Sequence, residues 1–124
     1  NHGGRQIDSV IPAIDALYPI AKIVNNRIPL IVDGGIRSGE DIFKAIALGA
    51  SSVMIARSVM WALAIGGQTE VNALFKRLQD ELTLTMRLAG CNSLEIVRER
   101  GLSLLSGPGI QSLHFAAIAQ HLSV

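Results

Sequence analysis

Apolar positions recur along the chain with two different periods, and these periods alternate. Several long segments space their apolar residues three and four apart, which is typical of amphipathic helices. Two short segments, residues 28–33 and 52–56, are apolar at consecutive positions and rich in β-branched residues, which is typical of strands buried on both faces of a parallel sheet. The predicted helices cover residues 10–24, 38–48, 59–65, 69–88 and 93–98. This order predicts an α/β fold with parallel strands and flanking helices.

Small and polar residues mark the ends of these elements. Ser9 is the candidate N-cap of the first helix, and Ser38 or the glycine after it begins the second. Gly49 follows the second helix and is a good C-terminal stop. The pair at residues 66–67 (Gly-Gly) separates the third helix from the long fourth one.

Two strands are too few to enclose a core, so the 124 residues are expected to form one partial domain. A whole (β/α)₈ barrel needs about 250 residues, of which this chain would supply the last part. The segment 100–124 is an atypical tail with only a weak helical pattern. The bare strand edges predict that the chain associates with copies of itself.

Composition narrows the class of partner. The net charge of +1 gives no reason to expect a nucleic acid. The longest apolar run, residues 58–67, is too short for a membrane span of roughly 20 residues. A single cysteine, Cys91, excludes an internal disulfide and a cysteine-cluster metal site, and no metal site of another kind is predicted. Met60 and Trp61 are expected to pack in the core.

The opening loop carries the first candidate chemistry. His2 is a possible general base near neutral pH, and Arg5 can present a forked donor to a carboxylate. The two glycines between them allow the backbone to approach a flat ligand. Spacing alone favours a solvated loop in which both side chains are incidental, because His-x-x-Arg is a weak pattern.

The ends of the two strands carry the second candidate site. A Gly-Gly pair exposes backbone N–H groups that can surround phosphate oxygens, and the N-terminus of the next helix points its positive end the same way. If the strands are neighbours, two arginines face the same small space, which favours a phosphate. The alternatives are a tight turn capped by its aspartate and an arginine paired with a carboxylate on a neighbouring helix. The candidate residues are Asp33, Gly34, Gly35, Ile36 and Arg37 after the first strand, and Ala56 and Arg57 after the second.

Three segments resemble one known family. The opening Asn-His-Gly-Gly-Arg-Gln at residues 1–6 resembles the signature loop of the FMN-dependent 2-hydroxy-acid dehydrogenases and oxidases, a group that includes lactate and glycolate oxidases. Residues 32–50 and 82–91 are similar to that family at the right separation. The resemblance spans residues 1 to about 98, and its most specific part is the opening loop.

The resemblance implies a role for each candidate residue. His2 corresponds to the base that takes the substrate's proton, and Arg5 to the clamp on the substrate carboxylate. Asp33 through Arg37, with Ala56 and Arg57, correspond to the segment that holds the FMN phosphate. The implied protein is an FMN enzyme with a C-terminal barrel segment like this chain, which oxidises a small L-2-hydroxy acid, expected to be lactate, to the 2-oxo acid. Its electron acceptor (oxygen, quinone or cytochrome) is left open.

The chain departs from the family at one motif. Ala56-Arg57-Ser58 stands where the family usually has Gly-Arg-Pro, so a Cβ at residue 56 could crowd a phosphate or require a different φ. The family's tyrosines, orienting carboxylate and flavin-facing lysine have no counterpart here, so the chain alone is expected to be inactive. Alternatives are a phosphate-binding segment of another FMN or sugar-phosphate barrel, or an inactive piece that self-associates. The expected location is the cytoplasm or the inner face of a membrane.

Overall fold

The computed structural model describes residues 6–105, so His2, Arg5 and the residues after 105 lie outside the described part. Helices and strands alternate in the predicted order: α1 (Ala13–Val24), β1 (Ile31–Asp33), α2 (Gly39–Ala47), β2 (Ser52–Met54), α3 (Arg57–Leu88) and α4 (Leu94–Arg100), followed by a 3₁₀ turn at Gly101–Leu104. β1 and β2 form a two-stranded parallel sheet in which Ile31 pairs with Ser52, Val32 with Val53 and Asp33 with Met54. The predicted α/β class and parallel pairing are confirmed.

The start of α1 differs from the prediction. The helix begins at Ala13, and its N-cap residue is Pro12 rather than Ser9. Because a proline disfavours helical backbone at the residue before it, the helix does not extend back to residue 10. The carbonyl oxygen of Pro12 instead accepts hydrogen bonds from the N–H groups of Asp15 and Ala16.

Both strands are covered on one face only. Val32 is buried, whereas Ile31 is 61% exposed and Met54 is 58% exposed. Side chains alternate between the two faces of a strand, and the face that carries Val32 and Val53 packs against the buried cluster of the helices. The opposite face stays largely exposed in the described part of the chain. The prediction that both faces are buried is therefore wrong for these residues.

α2 lies at the centre of the core. It begins as predicted, because the Ser38 hydroxyl accepts a hydrogen bond from the N–H of Asp41 at 3.1 Å and the Asp41 carboxylate accepts one from the N–H of Ser38 at 3.1 Å. Gly49 ends the following turn with φ of 107°. α3 and α4 pack against α2. The buried cluster also includes residues from α1 and β1, and it comprises Leu17, Val32, Ile36, Phe43, Ala45, Ile46, Ala47, Leu48, Ala50, Cys91 and Val97.

α3 bends at residues 66–67, the glycine pair that the sequence predicts as a break. Before this bend the helix runs outside the core, so Met60 and Trp61 are 63% and 52% exposed, and their predicted packing is wrong. The buried residues of α3, Leu74 and Leu78, both follow the bend. Within residues 6–105, no helix is both long and apolar enough to cross a membrane.

Gly39 brings the start of α2 into close contact with α3. A Cβ at this position would lie 2.2 Å from the backbone nitrogen of Leu82 and 2.6 Å from the carbonyl carbon of Glu81. We expect Gly39→Ala to lower the free energy of unfolding by about 3 kcal/mol, because no rotamer change relieves a clash with backbone. Urea denaturation followed by circular dichroism measures this loss.

Gly67→Ala is the matched control for this substitution. Gly67 has a φ of 60° and nothing within 4 Å of its Cβ position, so only backbone strain opposes the alanine. That strain costs about 2 kcal/mol, because a φ of 60° together with a ψ of −144° is a combination that residues with a side chain rarely adopt. Equal losses in the two variants would contradict the close α2–α3 contact.

Candidate functional site

The carboxyl ends of β1 and β2 lie at the same edge of the sheet, because the strands are parallel and in register. The last residues of the two strands, Asp33 and Met54, are paired, so the loops that follow them start side by side. All seven predicted cofactor-binding residues lie in these loops or directly beside them. Asp33 ends β1, Gly34, Gly35, Ile36 and Arg37 follow it, Ala56 precedes α3, and Arg57 begins α3. His2 and Arg5 lie outside the described residues, so their place beside this edge stays a prediction.

The β1–α2 loop, residues 34–38, offers unpaired backbone donors. Gly34 and Gly35 have φ values of 110° and 79°, which favour glycine. Among the described residues, none accepts a hydrogen bond from the N–H groups of Gly34, Gly35 or Ile36. A Cβ on Gly35 would meet no described residue within 4 Å, so this part of the chain leaves the space beside Gly35 open. Adjacent N–H groups beside open space can receive the oxygen atoms of a phosphate.

Ile36 contributes to the loop in a different way from its neighbours. Its side chain is buried in the core cluster, packed together with Val32 and Phe43. The side chain therefore cannot contact a ligand at the sheet edge. Ile36 can contribute only its N–H group to ligand binding. Its buried side chain anchors the loop to the core.

Two arginines supply positive charge at this edge. Arg37 and Arg57 are both exposed. Neither forms an ion pair with a carboxylate in residues 6–105, so the pairing of Arg57 with a neighbouring helix is absent from that part of the chain. A guanidinium group without an acidic partner is available for bidentate binding of a phosphate.

The N-terminus of α2 starts at this edge, but carboxylates already accept hydrogen bonds from its first N–H groups. Asp41 accepts hydrogen bonds from the N–H groups of Arg37 at 3.0 Å and Ser38 at 3.1 Å. Glu81, from α3, accepts one from the N–H of Gly39 at 2.8 Å. Two negative charges thus occupy the helix end where an anion would otherwise be stabilised. The donors free for a phosphate lie earlier, in residues 34–36.

The N-terminus of α3 is open by comparison. Its N-cap residue is Ala56, which has no side-chain acceptor, and its first turn carries no acidic residue. Ala56 has a φ of −113°, which any residue adopts, so the alanine at this family glycine position causes no backbone strain. The positive end of α3 is therefore directed to the same sheet edge as the β1–α2 loop.

Asp33 differs from the other candidates in charge and direction. It lies on the same strand face as Ile31, the face that is largely exposed. In residues 6–105 its carboxylate has no hydrogen-bond or ion-pair partner. The described residues also contain no group of three or more His, Cys, Asp or Glu side chains that could hold a metal ion.

Glu81 belongs to this region although the sequence does not point to it. The pKa of Glu81 is lowered, first because its carboxylate accepts the hydrogen bond from the N–H of Gly39 and then because Arg77 lies 2.7 Å away, against the opposing effects of partial burial and of Asp41. In the sequence, Glu81 shows only an i,i+4 spacing from Arg77, which is common on exposed helix faces. Its contact with Gly39 spans 42 residues and has no local signal.

Comparison with known proteins gives a consistent family. A family model described as FMN-dependent dehydrogenase matches residues 1–104. The chain belongs to the FMN-dependent dehydrogenase family. Curated relatives include the L-lactate oxidase of a Nostoc species, 50% identical over 95 residues, and the 4-hydroxymandelate oxidase of Amycolatopsis orientalis, 50% identical over 98 residues. These matches cover 77% and 79% of this chain.

Solved structures of the family agree with the described fold. A mandelate oxidase with a monooxide FMN adduct superposes with a TM-score of 0.75 at 50% identity, over 79% of this chain and 31% of that one. A mandelate oxidase with 3,3-difluoro-2-hydroxy-3-phenylpropionic acid gives a TM-score of 0.76 at 49% identity, over 80% of this chain and 30% of that one. The chain spans about a quarter of the length of its curated relatives, 26% and 28% for the two named above.

The lowered pKa of Glu81 predicts an acid-sensitive contribution to stability. A carboxyl group whose pKa is lowered in the folded state stabilises that state above its unfolded pKa, here 4.5. As the pH falls from 4.5 through the folded-state pKa, this contribution is lost. The difference in unfolding free energy between the wild type and Glu81→Gln should therefore be constant at neutral pH and shrink below pH 4.5.

Urea titrations at a series of pH values measure that difference. Asp80→Asn is the control, because Asp80 pairs with Lys76 on the exposed side of the same helix and forms no hydrogen bond to α2 among the described residues. A Glu81→Gln difference that stays constant or grows below pH 4.5 would contradict the role of the Gly39–Glu81 hydrogen bond.

Proposed function

We propose that this chain is the C-terminal segment of a (β/α)₈ barrel enzyme and that it supplies the enzyme's FMN-phosphate site. The observation that carries the proposal is the shared sheet edge. There the N–H groups of residues 34–36 have no partner among residues 6–105, and they lie on the same side as Arg37 and Arg57, which are exposed and have no acidic partner within that range. Ligands bind at the carboxyl ends of the strands in parallel barrels. Membership of an FMN-dependent family supports the choice of FMN as the anion.

The residues at this edge fit the phosphate of FMN. The N–H groups of residues 34–36 would bind its oxygen atoms, and Arg37 and Arg57 would balance its charge. The uncapped N-terminus of α3 adds positive potential. Asp33 is negatively charged like the phosphate, so its carboxylate would repel that group. We propose that the Asp33 carboxylate instead accepts a hydrogen bond from an uncharged donor group of the cofactor.

We assign the chemistry to the opening loop. Bound FMN would accept the hydrogen of the substrate's α-carbon together with the two electrons of that C–H bond. Arg5 holds the substrate carboxylate with two parallel N–H donors, which orients the hydroxyl-bearing carbon. His2 accepts the proton of the hydroxyl group as the 2-hydroxy acid becomes the 2-oxo acid.

The substrate class follows from the relatives. The similar proteins include a lactate oxidase, a 4-hydroxymandelate oxidase and glycolate oxidases, and each of these names refers to a small 2-hydroxy acid. We propose an L-2-hydroxy acid of this class, with lactate as the leading candidate. The electron acceptor is set by residues outside this chain, and oxygen, a quinone and a cytochrome all fit the proposed chemistry.

A chimera tests the roles of the opening loop. Residues of this chain replace the matching segment of the Nostoc L-lactate oxidase, and the product is expected to bind FMN and reduce a dye with lactate. Arg5→Lys in the chimera should lower kcat/KM for lactate about 100-fold, because a lysine cannot form the bidentate contact.

Arg27→Lys is the control for Arg5→Lys. The Arg27 guanidinium donates to the carbonyl oxygens of Ile23 and Val24 at the end of α1 and lies outside the proposed site. We expect it to leave kcat/KM unchanged. Wild-type activity in the Arg5→Lys chimera would reject the proposed carboxylate clamp and favour a segment in which His2 and Arg5 are incidental.

The 124-residue chain by itself should bind FMN poorly and show no lactate-dependent dye reduction. Residues 6–105 contribute two strands to its sheet, and the chain spans 26% of the lactate oxidase that it resembles. Quenching of FMN fluorescence measures binding. Tight binding together with turnover would contradict the proposal that the rest of the barrel is required.

A second candidate function is a non-catalytic piece that assembles with copies of itself. The exposed sheet face with Ile31 and Met54 favours it, because such a face is stabilised by burial against another apolar surface. Light scattering on the isolated chain distinguishes the two candidates only when read with the chimera: an inactive chimera together with a stable homo-oligomer would favour this second function.

A further inference from the structure

We propose that Glu81 is a positioning residue that holds the β1–α2 loop in the shape that binds the FMN phosphate. This inference rests on the proposed phosphate site. Glu81 lies on α3, outside that site, and acts through the backbone of residues 37–39. The resemblance to the family gives it no role.

Glu81 and Arg77 together contact the backbone on both sides of Ser38. One carboxylate oxygen of Glu81, Oε2, accepts the N–H of Gly39 at 2.8 Å. The other, Oε1, lies 2.7 Å from Nη1 of Arg77, whose Nη2 is 3.5 Å from the carbonyl oxygen of Arg37. The ion pair therefore joins the end of the β1–α2 loop to the first residue of α2.

Close packing at Gly39 fixes the direction of this contact. The backbone of Glu81 and Leu82 lies so near Gly39 that a Cβ there would be 2.2 Å from the nitrogen of Leu82. The loop end thus rests against α3 and cannot move toward it. The hydrogen bond from Gly39 to Glu81 prevents movement in the other direction, since separation would leave the N–H and the carboxylate unpaired.

The loop is held at both ends while its middle stays free to bind. β1 fixes the end before Gly34 through its pairing with β2. Asp41 and Glu81 bind the N–H groups of Arg37, Ser38 and Gly39 at the other end. The N–H groups of residues 34–36 have no partner in the described part of the chain. Donors held in advance on a rigid support bind an anion with a smaller loss of conformational entropy.

The test compares FMN with riboflavin, which lacks the phosphate, in the FMN-binding chimera. Glu81→Ala removes both contacts, and we expect it to weaken FMN binding about tenfold while it changes riboflavin binding less than about twofold. Glu81→Gln keeps an oxygen that can accept from Gly39, so its effect on FMN should be smaller. Asp80→Asn, which disrupts the neighbouring Lys76–Asp80 pair, should change neither dissociation constant.

The following results distinguish failure of this proposal from failure of the proposed function. Equal weakening of FMN and riboflavin by Glu81→Ala would show a general structural role and overturn the proposal, and so would no change in either. If Glu81→Ala does not fold, Glu81→Gln decides instead: it loses the ion pair with Arg77, so a ratio of the two dissociation constants equal to that of the wild type would overturn the proposal. Arg57→Gln tests the underlying site: if it leaves that ratio unchanged, the phosphate is not bound at this edge and the proposed function fails, whatever Glu81 does.

Discussion

The parallel pairing of β1 with β2 is the constraint on which the candidate site depends. Pairing in register places the last residues of both strands, Asp33 and Met54, side by side. The β1–α2 loop and α3, whose first residue is Arg57, therefore begin at the same edge. An antiparallel arrangement would send the two loops to opposite ends of the sheet, and no anion could then reach both.

The N-termini of the two helices that start at this edge are capped differently. α2 begins with a capping box, and a carboxylate from α3 accepts a further N–H group at its start. The N–H groups at the start of α2 therefore stabilise the fold. α3 begins at an alanine without an acidic residue in its first turn. An N–H group that already donates to a carboxylate of the protein cannot also bind an anion. The donors that remain for a ligand are therefore those of the β1–α2 loop and of the start of α3. The closed start of α2 gives that loop a rigid support.

Local signals in the sequence were sufficient for the order of elements and for part of the site. Ser38, Gly49 and the glycine pair at 66–67 each act within a few residues, and the structure confirms them. The burial of Ile31 and Trp61 depends on what packs against them, and their apolar character alone predicted it wrongly. Glu81 could not be recognised, because its contact with Gly39 joins residues 42 positions apart. The roles of His2 and Arg5 rest on the resemblance to the family alone, because both residues lie outside the described part of the chain.

The central claim is that one anionic group binds between the two strand ends, and a crystal structure of the chimera with FMN tests it most directly. The account predicts the phosphate within hydrogen-bond distance of the N–H groups of residues 34–36, with the guanidinium groups of Arg37 and Arg57 directed toward it. A phosphate bound elsewhere in the barrel, or the two arginines directed into different regions, would contradict the account.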